Sequence, residues 1–271
     1  PRRLLDVGSE IEPVQLVDAT TQVPYIALSH CWGKKHLLRT TQETLDSMAG
    51  EVPFQNLSPT FQHSVQLTRA LGIRHLWIDS LCIVQDDPAD WEAEAAKMAA
   101  IYTNAILVLS ASAASDGEGG FINHSIQSPP RMRQRSLPLF DRAWAYQERL
   151  LATRILHFAT GEMVWECKEV MACECRLRWT QKKKVEDDAW HLIVTNYSKR
   201  LLTFDTDRLP ALSGLAKAFS ESASGGTYLA GLWSTSLLDD LTWCNTNRQE
   251  SKYPSTYLAP SWSWVSVAGC V

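Results

Sequence analysis

Two apolar runs in this chain stop abruptly in clusters of side chains able to do chemistry. Tyr25 to Gly33 reads YIALSHCWG, and the block from His75 reads HLWIDSLCIVQDDPADWEAEAAKM. The first run ends in Ser29, His30, Cys31 and Trp32, the second in Asp79, Ser80 and Cys82. In open α/β sheets ligands bind just beyond the carboxyl ends of parallel strands, so these ends are where a site is expected. His30 and Asp79 are the candidate catalytic acid–base residues. Ser29, Cys31, Trp32 and Ser80 are expected to touch a ligand. Adjacent strand residues point to opposite faces, so His30 and Cys31 can pair only if the chain turns sharply at Trp32–Gly33. No GxSxG elbow is present. The bland alternative is a strand-end cap in which Asp79 bonds Ser29 or a backbone N–H.

Glu94 is the third catalytic candidate. It follows Trp91 by three residues, about 60° from the centre of an expected buried stripe formed by Trp91, Ala95, Met98 and Tyr102. A carboxylate at such a border is partly desolvated, which raises its pKa and suits acid–base or cation-stabilising work, with Trp91 beside it as a ligand contact. The structural alternative is an ion pair with Arg142 or Arg149. Glu92, further round the helix, is expected to be solvated. In the block RAWAYQERLL, Gln147 and Arg149 could reach the first-half site or tie the two halves together. Cys167, Cys173 and Cys175, with His157 or His191 as a fourth ligand, have the atoms for zinc but not the spacing of a C-x2-C knuckle, so no metal site is assigned. The order GxGxxG is absent, so no dinucleotide fingerprint exists.

The elements that must position these residues follow from pattern. Tyr25 to His30, His75 to Ser80 and Ala105 to Leu109 are short and continuously apolar, as parallel strands covered on both faces are. Ser58-Pro59 reads as N-cap and N1 of a helix carrying Phe61, Val65 and Thr68 inward and ending at Gly72; Asp87-Pro88 opens another. The result is a βαβαβ unit over residues 1–115. Residues 116–138, rich in Gly, Ser, Pro and Arg, read as a linker. Residues 139–271 read as an α+β second half packed on the core, with a hairpin turning at Ala159 to Gly161, a helix from Asp188 to Leu201 and a terminal strand in PSWSWVSVAGC.

Composition bounds the function. A net charge of -4, 45% hydrophobic residues and a single basic run, Lys182 to Lys184, answered at once by acids, exclude a nucleic-acid footprint. No stretch is long and apolar enough for a membrane span, and no signal-peptide core is seen, so a cytoplasmic protein is expected. Seven cysteines without a framework favour reduced thiols. Eleven Trp residues imply a ring-rich core with polar groups threaded among the indoles.

At the blocks YIALSHCWG, LGIRHLWIDSLCIVQDDPADWEAEAAKMAAIYTNA, RAWAYQERLLATRILHF, WECKEVMACEC, DRLPALSGLA and SWSWVSVAG the chain resembles the fungal heterokaryon incompatibility (HET) domain family. Family members usually carry tyrosine where His30 stands, and the stretch between Phe121 and Asp141 is shorter than is common. The resemblance implies a fold distantly similar to TIR domains: a flavodoxin-like parallel sheet, here extended by a Trp-rich α+β second half. It implies a role in fungal non-self recognition and programmed cell death. Because some TIR domains cleave NAD with one glutamate, it also makes NAD a candidate substrate, with Glu94 opposite the oxocarbenium-like ribose, and no cofactor besides. Two other classes remain open: a small-molecule enzyme of secondary metabolism, of cyclase, isomerase or hydrolase type, with His30 as acid–base; and a non-catalytic module that self-associates or engages another incompatibility protein.

Overall fold

The computed structural model describes residues 1–10, 12–33, 37–122, 137–174, 179–181, 190–222, 226–246, 253–269 and 271. The basic stretch Lys182 to Lys184, Asp188, Cys175, Cys270 and most of the expected linker lie outside them. The described chain divides into two compact units, Pro1–Leu139 with Ala152–Lys182, and Phe140–Leu151 with Lys183–Val271.

In the first unit β1 (Arg3–Asp6) pairs antiparallel with β2 (Gln15–Asp18). Next come β3 (Tyr25–Ser29), α1 (Leu45–Gly50), α2 (Pro59–Ala70), β4 (His75–Trp77), α3 (Asp79–Cys82), α4 (Pro88–Ala95), α5 (Met98–Asn104) and β5 (Leu107–Ser110). Ser58 and Pro59 stand at the N-cap and N1 of α2, and Gly72, with φ of +70°, releases the chain just past its end. Asp87 caps α4 by accepting from the N–H groups of Ala89 and Asp90.

The three expected strands are parallel neighbours: β3 pairs with β4 on one side and with β5 on the other. A fourth parallel strand, β6 (Arg154–Ala159), joins β5. The parallel strands therefore lie in the order second, first, third, fourth, with the topological switch between β3 and β5.

The sheet as a whole is mixed rather than parallel. Beyond β6 it continues antiparallel through β7 (Glu162–Cys167), β8 (Val170–Cys173) and β9 (Trp179–Gln181), and β1 runs antiparallel against β4 at the other side, for nine strands in all. The hairpin turns at Gly161, φ +85°, as its sequence requires, and it extends the first unit's sheet.

The stripe Trp91–Ala95–Met98–Tyr102 does not form. The helix breaks between Ala95 and Met98, and Trp91 is 37% exposed. The face of α4 turned inward instead carries Asp90 and Glu94, four residues apart. Asp90 accepts from Arg3, at 2.6 Å, and from the backbone N–H of Val84, at 2.9 Å, while Arg2 also reaches it. A helix turned to bring Asp90 onto Arg3 must carry Trp91, about 100° away, toward solvent. Long-range charge thus overrides the apolar period.

In the second unit α6 (Ala143–Leu151) packs against α7 (Trp190–Ser198) and α8 (Pro210–Ser222). A two-stranded ribbon, β10 (Tyr228–Leu229) and β11 (Leu232–Trp233), and α9 (Leu237–Asp240) follow. Its core is aromatic: Trp190 meets Phe219, Tyr228 and Trp233 at centroid distances of 5.5–5.8 Å. Residues 260–269, expected as a terminal strand, do not form one. Ser263 accepts from the N–H of Val265 and caps a 3-10 turn over Trp264–Ser266, so Trp264 is buried while Trp262 is exposed. A serine bonding its own backbone two residues on competes with strand pairing, and here it wins.

The buried Arg3–Asp90 pair carries a stability prediction. Asp90→Ala leaves Arg3 and the Val84 N–H without their acceptor and is expected to cost about 3–5 kcal/mol in urea unfolding; Glu92→Ala, on the exposed face, should stay within about 0.5 kcal/mol. Equal effects of the two would contradict the inward face assigned to α4.

Candidate functional site

β3 and β5 end level with each other, so the side chains at their carboxyl ends stand side by side at one edge of the sheet. Ser29 is in register with Ser110 of β5, and Ser110 with His157 of β6. β4 stops at Trp77, so Asp79 and Ser80 open α3 rather than close a strand.

Asp79 is a hub at this edge. Its Oδ2 accepts from Trp32 Nε1 at 2.8 Å and its Oδ1 from the backbone N–H of Ser80 at 2.7 Å. His30 Nδ1 stands 3.8 Å from Oδ1, an ion-pair separation rather than a hydrogen bond, and its ring packs edge-on against Phe61 at 5.1 Å. The chain turns sharply just after Trp32, at Gly33, φ +73°, where a Cβ would lie 2.3 Å from that of Asp116. Only glycine lets the turn leaving β3 meet the loop leaving β5 so closely.

Ser110 and Ser112 are joined Oγ to Oγ at 2.8 Å, Ser112 Oγ lies 3.3 Å from His157 Nδ1, and His157 Nε2 lies 2.7 Å from Glu166 Oε2. A serine, a histidine and a carboxylate in series have the composition of a hydrolytic triad. All of them are buried, as are Ser29, His30 and Cys31. The loop after β5 is tied to α2: Gly117 C=O accepts from the Thr60 N–H, and His63 Nδ1 accepts from the N–H groups of Phe121 and Ile122. Asp79, with 22% of its side chain exposed, and half-buried Trp32 are what this edge shows to solvent among the expected residues.

The expected site residues therefore fall into three places. Ser29, His30, Cys31, Trp32, Asp79 and Ser80 come together at the strand ends, with the Ser80 hydroxyl buried and without a hydrogen-bond partner among the described residues. Glu94 is elsewhere, on α4, at 0% exposure: Oε1 pairs with Lys97 Nζ at 2.8 Å and Oε2 accepts from the Arg2 backbone N–H at 3.1 Å. Its partners are thus Lys97 and Arg2, not Arg142 or Arg149. Gln147 and Arg149 lie on α6 in the second unit, where Gln147 Oε1 accepts from the Gly214 N–H at 2.7 Å and the Arg149 guanidinium sits 4.7 Å from the Phe140 ring.

Ser112 and Glu166 carry no sequence signal by themselves, and His157 reads only as a zinc ligand. The signal lies in the hairpin. With its turn at Gly161, His157 faces Val164 and Ile155 faces Glu166, so histidine and glutamate form a diagonal cross-strand pair. That pairing occupies His157, and among the described residues no group of three His, Cys, Asp or Glu could hold a metal ion. Cys31, Cys82, Cys167 and Cys244 stand outside any disulfide, as expected; Cys173 does not, being disulfide-bonded.

Residues 25–136 match the family model for heterokaryon incompatibility protein (HET). The matched segment holds the whole first run, the Asp79 turn and α4. No curated protein and no solved structure matches the chain.

The thiols divide by environment. Burial pushes Cys82 up to about 12, whereas a backbone hydrogen bond from Glu169 holds the exposed-side Cys167 thiol below its usual value. Iodoacetamide on the native protein at neutral pH should therefore label Cys167 while sparing Cys82 and Cys31, read by peptide mass spectrometry; labelling of Cys82 at a comparable rate would contradict the closed strand-end packing.

Proposed function

Because residues 25–136 form a heterokaryon incompatibility domain, we propose that the chain acts in fungal non-self recognition, as a module that signals by association and not by cleaving NAD at Glu94. The single observation behind this is burial. A carboxylate that stabilises a ribosyl cation must reach the reacting carbon, and Glu94 has no exposed surface and spends both oxygens on Lys97 and Arg2. The strand-end groups His30, Ser29 and Ser112 are likewise inside, in a network that reads as support for the domain's shape. The parallel strand order also supports the TIR-like reading of the core, in which self-association is the working mode.

A second reading, a small-molecule enzyme, is favoured by the partial exposure of Asp79 in front of His30. In that case Asp79 and His30 exchange the proton, Trp32 holds Asp79 in place, and His30→Gln abolishes turnover of a fungal metabolite pool followed by mass spectrometry while leaving the fold intact.

Purified protein incubated with NAD separates these readings. No free nicotinamide is expected, together with a mass by light scattering that rises with protein concentration. Glu94→Gln should lower the melting temperature, since Lys97 loses its buried partner, and Glu92→Gln should leave it unchanged. Nicotinamide release by the parent protein that Glu94→Gln abolishes without loss of stability would overturn the association reading.

A further inference from the structure

The second unit contains a cleft of about 260 Å³ that the HET-domain reading does not use. It lies between α7, α9 and the residues that follow α9, and its chemistry comes from Trp190, His191, Asp239, Asp240, Trp243 and Trp264.

Its walls are fixed. Trp190 Nε1 and Trp264 Nε1 both donate to the Gly231 carbonyl, at 2.8 and 3.1 Å, and Trp243 Nε1 donates to the Trp262 carbonyl at 2.7 Å. All three indole N–H groups are committed to backbone and Trp190 and Trp264 are buried, so the ring surface the cleft offers a ligand is that of half-buried Trp243. Gly231 permits this closeness: at φ +99°, a Cβ there would lie 2.7 Å from Trp264 Nε1.

Its polar side is equally ordered. Asp240, 1% exposed, accepts the Trp233 backbone N–H on Oδ2 at 2.7 Å and holds His191 Nε2 at 2.6 Å with Oδ1. The His191 ring is 57% exposed, so it is pinned at one nitrogen and open to water elsewhere. Asp239 stands exposed at the rim and makes no ion pair among the described residues. The lining has two carboxylates and neither lysine nor arginine, so it is negative whether His191 is neutral or protonated.

Negative potential beside an accessible indole face, in a cleft of this size, is the chemistry that recognises a small organic cation. We propose that this cleft binds an alkylammonium group of choline size, with the Trp243 ring against its methyl groups and Asp239 supplying the counter-charge. His191 and Asp240 shape the cleft as a positioning pair. The site is independent of the function assigned to the HET domain.

The same headgroup can arrive as a free metabolite or as a methylated lysine, so calorimetry on the whole chain should compare choline with acetyl-trimethyllysine amide, and choline with its neutral isostere 3,3-dimethyl-1-butanol. Choline is expected to bind about tenfold more tightly than the neutral alcohol, the size of effect a cation on aromatic faces gives. Asp239→Asn, an exposed change that should not disturb folding, is expected to weaken choline several-fold, with Asp239→Glu restoring it. Tighter binding of the lysine derivative identifies a modified protein as the source, and tighter binding of choline a free metabolite. Equal binding of choline and the alcohol, no effect of Asp239→Asn, or no heat from either cation with the variants and parent equally folded by circular dichroism would overturn the proposal.

Discussion

β3 is buried over its whole length and has parallel neighbours on both sides, so everything that leaves it must be satisfied within the protein. The Asp79 carboxylate meets much of that demand. It takes the Trp32 N–H from the chain leaving β3 and the Ser80 N–H from the chain leaving β4, tying two adjacent strand ends through one side chain. Charge-assisted bonds of this kind are the strong ones, and one lost partner leaves donors stranded in a poorly solvated place. The remaining strand ends are joined by the Ser110–Ser112–His157–Glu166 series, and the loop after β5 is fastened to α2. The carboxyl edge where doubly wound sheets usually open to a ligand is here closed by its own polar side chains.

That closure changes how catalytic-looking residues are to be read. Serine, histidine and carboxylate in sequence are as useful for filling a polar strand end as for attacking a carbonyl, and burial decides between the roles. Glu94 makes the point on α4. Its position after a strand and beside a tryptophan invites a catalytic role, but its two oxygens hold the backbone of Arg2 and the ammonium of Lys97, and with the Arg3–Asp90 pair they dock α4 to the N-terminal strand. Where a polar group does meet solvent in a concave setting, beside His191 in the second unit, the surrounding residues are scattered along the chain, with only Trp264 falling in a block that stands out in the sequence.

Much of the first unit was legible because its signals are local. Continuous apolar runs marked β3, β4 and β5, Asp87-Pro88 marked the start of α4, and glycine marked the end of α2 and the hairpin turn. The misses share a physical cause: partners distant in sequence. Trp91 fits an apolar period, yet Arg2 and Arg3, nearly ninety residues away, set which face of α4 turns inward. The alternation in PSWSWVSV fits a strand, yet a serine cap bends it. The sheet grows past β6 because a hairpin finds the free side of β5, which no periodicity within the hairpin announces. At the site, Asp79, His30 and Trp32 could be grouped from their strand-end positions, while Ser112 and Glu166 needed the register of β5, β6 and β7.

The central claim is that the carboxyl edge of the sheet is a closed structural network. Native-state amide exchange over residues 25–31 and 76–83, with and without millimolar NAD, tests it most directly. Protection close to that of global unfolding, unchanged by NAD, is the expected result. Rapid exchange at these strand ends, or protection that appears only with NAD, would mean that the edge opens to a ligand and would contradict the claim.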